Sequence, residues 1–227
     1  MKKRPVIIFI SLFLGMYLFP YIPLELFNIN YYNFSSNMKN IYNFICDICY
    51  MLIIFIIYHK DLTDNFKNLI KNFNKIMYKS FNYYLIGLFF MFISNVIIGH
   101  IFIEANTNNE NMVRNMITMY PVYMFFSVSI YAPFVEEIIF RKSIKEMFID
   151  SKITKYAYII ISGFIFAFMH IYGDTSSSLD YLYIVSYMAV GVSFAYAYYE
   201  SNNIFTTILL HSLHNTTALI LFLWLGV

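Results

Sequence analysis

The chain has 227 residues, of which 60% are hydrophobic, 21% aromatic and only 12% charged. A soluble domain carries roughly 25% charged residues and is at most about half apolar, so the composition excludes an ordinary soluble protein and indicates a multispanning integral membrane protein. The formal net charge of +2 is too small to argue for a nucleic-acid partner, and where the charges lie carries more information than their sum.

A hydrocarbon core of roughly 30 Å needs about 20 apolar residues in a helix. Segments of that kind lie near residues 5–27, 41–58, 82–103, 118–140, 156–172, 180–199 and 204–226. The expectation is therefore an all-α polytopic bundle of about seven transmembrane helices. The first segment, after the basic Lys2, Lys3 and Arg4, has the look of a signal peptide. No small-residue cleavage site follows, and it reads as a retained membrane helix, with an irregular end at Pro20 and Pro23. Residues 1–117 form a variable set of membrane helices with a basic connection, and 118–227 form a second unit that carries the polar motifs. No internal repeat or long linker divides the chain.

Lysine and arginine set the orientation. They gather before the first segment, between the second and third (Lys60, Lys67, Lys71, Lys75, Lys79) and between the fourth and fifth (Arg141, Lys142, Lys145, Lys152, Lys155). The alternate connections hold few: Lys39 in one and Arg114 in another. Seven spans put all three basic regions on one side, with the N-terminus cytoplasmic. Between the second and third segments, Phe66, Leu69, Ile70, Phe73 and Ile76 recur at helical spacing among lysines. This reads either as an amphipathic helix on the inner leaflet or as a basic loop. The polar stretch EANTNNENMVRN reads as an exposed outer loop. Cys46 and Cys49 stand in an apolar segment without a βαβ pattern or a second cysteine pair, so they read as buried thiols that only pack.

Ionisable groups at membrane depth cost roughly 2.5 to 3.5 kcal/mol near a helix centre, and they usually face a protein interior or a cavity. In APFVEEIIFRKSI, Glu137 and Arg141 are four apart on one face, in the favourable acid-before-base order. Glu136 points about 100° away, free for a cavity. The alternative is that these residues mark a helix end and snorkel into headgroups. His170 ends the apolar run FIFAFMH, either as a site residue or as an interfacial histidine. In HSLHN, His211 and Asn215 share a face and can aim at one ligand, while His214 is one turn away and displaced to the side. Interhelical hydrogen bonding is the other reading there. Asp47, Asn95, His59 and His100 read as structural or solvated.

Together these form E-E-x-x-x-R, F-x-x-x-H and H-x-x-x-N in order, carried by Glu136, Glu137, Arg141, Phe166, His170, His211 and Asn215. The set resembles the CPBP family, the CAAX proteases and bacteriocin-processing enzymes also called the Abi family, over residues 118 to 220. The resemblance implies an intramembrane endopeptidase in which Glu136 and His170 handle the attacking water. A carboxylate in an apolar pocket suits a general base that later returns its proton. His211 and Asn215 would donate hydrogen bonds to the oxyanion, and Glu137, Arg141 and Phe166 would support them. A metal-free mechanism is favoured. The alternative is a divalent metal such as zinc on Glu136, His170 and His211 with water in the open position, although no H-E-x-x-H is present and Asn is a poor zinc ligand. For Glu136 and His170 to meet, the fourth helix must continue inward past Arg141 through KSIKEMFI.

The expected partners are the lipid bilayer and a membrane-associated or prenylated protein or small peptide, with no nucleic acid. The Asn-, Ile-, Lys- and Tyr-rich usage suits an AT-rich bacterial genome and hence a bacterial plasma membrane. The relatives implied by the resemblance point to peptide processing or bacteriocin self-immunity. Two rival classes remain at this level: a non-catalytic scaffold regulating a sensor kinase or transporter, and a small transporter with an acid–histidine proton relay. A transporter would more readily show inverted repeats.

Overall fold

The computed structural model describes residues 3–101, 108–149, 151–172 and 178–225, and every regular element among them is helical. The order is α1 (Lys3–Leu18), α2 (Tyr21–Leu26), α3 (Ser36–Ile101), α4 (Asn108–Met119), α5 (Pro121–Met147), α6 (Lys152–Met169), α7 (Ile184–Ser201) and α8 (Ile204–Leu225). Five helices are long and apolar enough to cross a bilayer: α3, α5, α6, the stretch Tyr181–Ser201 that contains α7, and α8.

The seven expected segments do not map one for one onto these. The first breaks at Pro20, which caps the start of α2, because proline ends the regular hydrogen-bond ladder. It leaves α1 with 16 residues. The second and third segments lie within α3, 66 residues long, because the lysine-rich connection between them is helical as well. That helix is not straight. Tyr58 (φ −112°, ψ 15°) and Asn72 (φ −123°, ψ 24°) leave helical dihedrals and divide it into two apolar arms around a middle piece. In and beside the middle piece, Leu69 is buried while Phe66, Ile70 and Phe73 face outward. One stripe therefore packs on the protein and apolar surface remains outside, as an interfacial helix requires.

The second arm of α3 lies antiparallel to α7, through Lys79–Glu200, Tyr83–Tyr196 and Ser94–Ser186. The first arm lies antiparallel to α1, with the Tyr50 and Tyr42 hydroxyls on the Leu12 and Pro20 carbonyls. α6 and α7 approach closely, because a Cβ on Gly163 would stand 2.6 Å from the Val192 side chain and one on Gly191 would stand 2.9 Å from the Gly163 carbonyl oxygen. Gly191 and Ala195, four apart on α7, thus serve packing inside the bundle. The main core joins Leu12, Tyr50 and Ile54 to Val135, Ile138, Phe140, Phe166 and Ala195. It holds α5 at the centre, between α1, α3, α6, α7 and α8.

Two expectations need correction. The polar stretch read as an outer loop is helical from Asn108 onward. Val113, Met116 and Ile117 pack there with Met124 and Leu219, and Arg114 bonds Glu110 one turn back at 2.7 Å. Its residues 104–107, and residues 173–177 of GDTSSSLD, lie outside the described residues. Of the two cysteines, Cys46 is buried but Cys49 is exposed. Asp47 is buried and accepts a hydrogen bond from Tyr123 at 3.1 Å, and His59 and His100 are exposed.

Candidate active site

The site is built on α5, whose winding changes twice. Ser127–Tyr131 and Ile138–Ser143 are π-helical, and the six residues between them, Ala132–Glu137, are α-helical and carry both glutamates. A widened turn breaks the regular carbonyl ladder, and π segments are frequent at functional sites. In lipid a freed carbonyl needs an internal partner, and four carbonyls of these turns accept a hydrogen bond from a side chain. Asn215 of α8 donates to the Val128 carbonyl at 2.8 Å, and Ser212 of α8 donates to that of Ser129. Ser143 donates to Ile139 at 2.5 Å, and Ser162 of α6 donates to Phe140 at 2.6 Å. Helices α6 and α8 are thereby held against α5 at the level of the glutamates.

Glu137 is fully buried beside Arg141, with 3.1 Å between Oε2 and Nε. This is the pair expected from their spacing. It is an ion pair in contact rather than an aligned hydrogen bond. The Arg141 guanidinium lies over the Phe166 ring at 4.5 Å and nearer its edge meets Phe194 at 5.8 Å, and its Nη1 donates to the Ser162 hydroxyl at 3.3 Å. The other Glu137 oxygen, Oε1, faces His211 Nδ1 at 3.0 Å. A carboxylate accepts only, so Nδ1–H donates, and a neutral His211 leaves its Nε2 unprotonated. Spacing along the chain gave no sign of this second partner, 74 residues away.

Glu136 takes the other direction. Its side chain is 18% exposed and its Oε2 stands 3.9 Å from His170 Nε2, on a ring 21% exposed. That oxygen accepts no hydrogen bond from any described residue. His170 caps the end of α6, and its Nδ1 lies 2.8 Å from the Phe166 carbonyl. A carbonyl cannot donate, so Nδ1 carries the hydrogen and the neutral ring turns its lone pair toward Glu136. The two meet because α5 runs on past Arg141 to Met147 and the next helix starts only at Lys152. Phe166 lies against three members of the group: the Arg141 guanidinium, and the rings of His170 and His211 at 4.3 and 5.6 Å between centroids.

Among the described residues no group of three or more His, Cys, Asp or Glu side chains stands where it could hold a metal ion. Of the three residues in the zinc alternative, His211 has its Nδ1 on Glu137, which leaves Nε2 as the nitrogen that could meet a metal.

The three motifs thus come together from helices far apart in the chain, with Glu136 and His170 facing each other. Residues 118–217 match the type II CAAX prenyl endopeptidase Rce1-like family. The match is consistent with the CPBP intramembrane proteases and contains every motif residue named above. An Rce1-like domain supports intramembrane endopeptidase activity in general. No curated protein and no solved structure matches the chain.

Within the matched residues the sequence reading missed the serines. Ser143, Ser162 and Ser212 look like ordinary small polar residues in apolar helices, and nothing in their spacing reveals that α5 changes its winding. It also left His214 without a partner, because Tyr84 lies on α3 outside the matched residues.

Proposed function

We propose that the protein is an intramembrane endopeptidase that hydrolyses a peptide bond in a membrane-associated or prenylated protein or small peptide. The observation that carries this reading is the pair Glu136 Oε2 and His170 Nε2, 3.9 Å apart. Both are hydrogen-bond acceptors, and the carboxylate oxygen has no donor among the described residues. One water can donate to both with bonds of about 2.8 Å. In the reaction the water oxygen attacks the scissile carbonyl carbon as Glu136 takes its proton. The carbonyl π pair moves to oxygen. The oxyanion pair then re-forms the C=O bond as the C–N bond breaks, the C–N electron pair stays on nitrogen, and the proton from Glu136 passes to the leaving amine.

The oxyanion requires donors. Asn215 has one amide N–H beyond the one given to Val128, and His211 donates from Nε2 only as an imidazolium. Glu137 and Arg141 fix the helix on which Glu136 stands. The reading is metal-free, and zinc held by Glu136, His170 and His211 is the alternative that the chelation arm below tests. Within the range of roles the resemblance implies, maturation of a small peptide or bacteriocin self-immunity at a bacterial plasma membrane is the proposal, with the N-terminus cytoplasmic.

The test is proteolysis by purified protein in detergent and in liposomes. The substrates are a panel of short membrane-anchored and prenylated peptides, with fragments read by mass spectrometry. Wild type is expected to cleave, and Glu136→Ala and His170→Ala, folded as wild type, to lose about 10²–10⁴-fold in rate. Cleavage that survives Glu136→Ala overturns the mechanism. Activity is expected to persist after stringent chelation; its loss, with about one zinc per chain by metal analysis, would restore the metal alternative.

A further inference from the structure

The group around Glu136 and His170 is short of ready hydrogen-bond donors for an oxyanion. A neutral His211 presents an unprotonated Nε2, because its Nδ1–H is on Glu137. Asn215 has given one amide N–H to the Val128 carbonyl. Between them in sequence on α8 is His214, a partly buried imidazole. It stands three residues on from His211, the spacing at which side chains on one helix are neighbours. Its Nδ1 lies 3.3 Å from the Tyr84 hydroxyl of α3, with the two rings edge-on at 90°.

Tyr84 is 4% exposed. Its ring stacks on Phe194 at 5.8 Å, and Phe194 in turn lies 5.3 Å from His211. His214 Nδ1 is the hydrogen-bond partner of the Tyr84 hydroxyl among the described residues. A buried hydroxyl hydrogen without an acceptor is costly, so Tyr84 donates and Nδ1 accepts. The hydrogen of the neutral imidazole then sits on Nε2. His214 is therefore the one histidine of the three that offers a donor without taking on a second proton.

We propose that His214, held in the Nε2–H form by Tyr84, donates a hydrogen bond to the oxyanion of the tetrahedral intermediate beside the remaining N–H of Asn215. In these terms His214 is a catalytic residue and Tyr84 a positioning residue. The inference rests on the endopeptidase reading above. A purely structural Tyr84–His214 bond, pinning α3 to α8, would alter stability but not the pattern of rates below.

The experiment combines cleavage kinetics with nitrogen-15 NMR of histidine-labelled full-length protein in detergent. Wild type against Glu136→Ala decides the underlying reading separately. His214→Ala is expected to lower kcat about 10²–10³-fold with KM nearly unchanged, the usual effect of losing one oxyanion donor. His214→Gln, which keeps an N–H, should recover part of that loss. Tyr84→Phe should lower kcat by about ten-fold, the worth of one hydrogen bond. In the spectrum, assigned with His214→Gln, wild-type His214 should be protonated at Nε2 and bare at Nδ1, and Tyr84→Phe should mix the two forms. Wild-type kcat in His214→Ala beside an inactive Glu136→Ala overturns the proposal and leaves the endopeptidase reading standing. A His214 protonated at Nδ1 overturns it as well, and that result needs no substrate.

Discussion

Glu136 and Glu137 are neighbours in sequence with opposite surroundings. Glu137 has Arg141 on one oxygen and His211 on the other and is wholly buried, whereas Glu136 opens toward His170. Neutral, nearly isosteric replacements should separate the two. Glu136→Gln is expected to fold and melt like wild type while losing cleavage. Glu137→Gln leaves Arg141 buried without its counter-charge, and breaking such a pair costs about 3–5 kcal/mol. A large fall in thermal midpoint in detergent should accompany its loss of cleavage. Equal melting of the two variants would show that Glu137 is not the structural member. The Glu137–Arg141 contact was legible in the sequence because a helix brings residues four apart onto one face. The Glu137–His211 contact was not, because it depends on how α5 and α8 slide past each other, and no single segment encodes that register.

At the scale of elements, the hydrophobic pattern located the apolar segments but not their internal geometry. A helix that is apolar on most faces shows no period for an added residue to disturb, so the π segments of α5 left no trace in APFVEEIIFRKSI or the run before it. Likewise the lysines between the two apolar arms of α3 looked equally like a loop or a helix. The polarity of residues 108–119 hid a helix whose few apolar side chains, Val113, Met116 and Ile117, are well placed to pack. The serines that close the π turns make a prediction of their own. Ser162 is fully buried and serves both the Phe140 carbonyl and Arg141, while Ser212 is only partly buried and serves one carbonyl. Ser162→Ala should therefore cost about 1–3 kcal/mol, the penalty for stranding buried polar groups. Ser212→Ala should cost nearer the average of about 0.6 kcal/mol for an interhelical hydrogen bond in a membrane. Unfolding curves in one detergent compare them directly, and equal losses would mean that the second π turn does not depend on its cap.

On the scale of the whole molecule, charge that is scattered in the sequence collects at one end of the bundle. Lys142 pairs with Asp61 and Glu146 at 2.7 Å, Lys155 and Lys79 share Glu200 at 2.6 and 2.9 Å, and Lys145 donates to Asn202 at 2.9 Å. The antiparallel contact of α1 with the first arm of α3 brings the start of α1 to that end too. The opposite end has Arg114, held by Glu110, and Lys39, which lies over Tyr31. Each basic connection could be read from the sequence. That they share one end required the helices to alternate in direction, and α3 supplies this by turning back at Tyr58 and Asn72 rather than at a loop. Because basic residues are retained on the cytoplasmic side, this end should face the cytoplasm. Single cysteines introduced by Lys67→Cys and Lys152→Cys at the basic end, and by Asn37→Cys and Asn115→Cys at the other, test it in a background lacking Cys46 and Cys49. All four positions are exposed. On intact cells a membrane-impermeant maleimide should label the Asn37→Cys and Asn115→Cys proteins. The Lys67→Cys and Lys152→Cys proteins should react only after permeabilisation. The reverse pattern would invert the orientation. Labelling of Lys67→Cys from one side and Lys152→Cys from the other would mean that the two basic connections do not share a face, and the bundle drawn here would be wrong in its alternation.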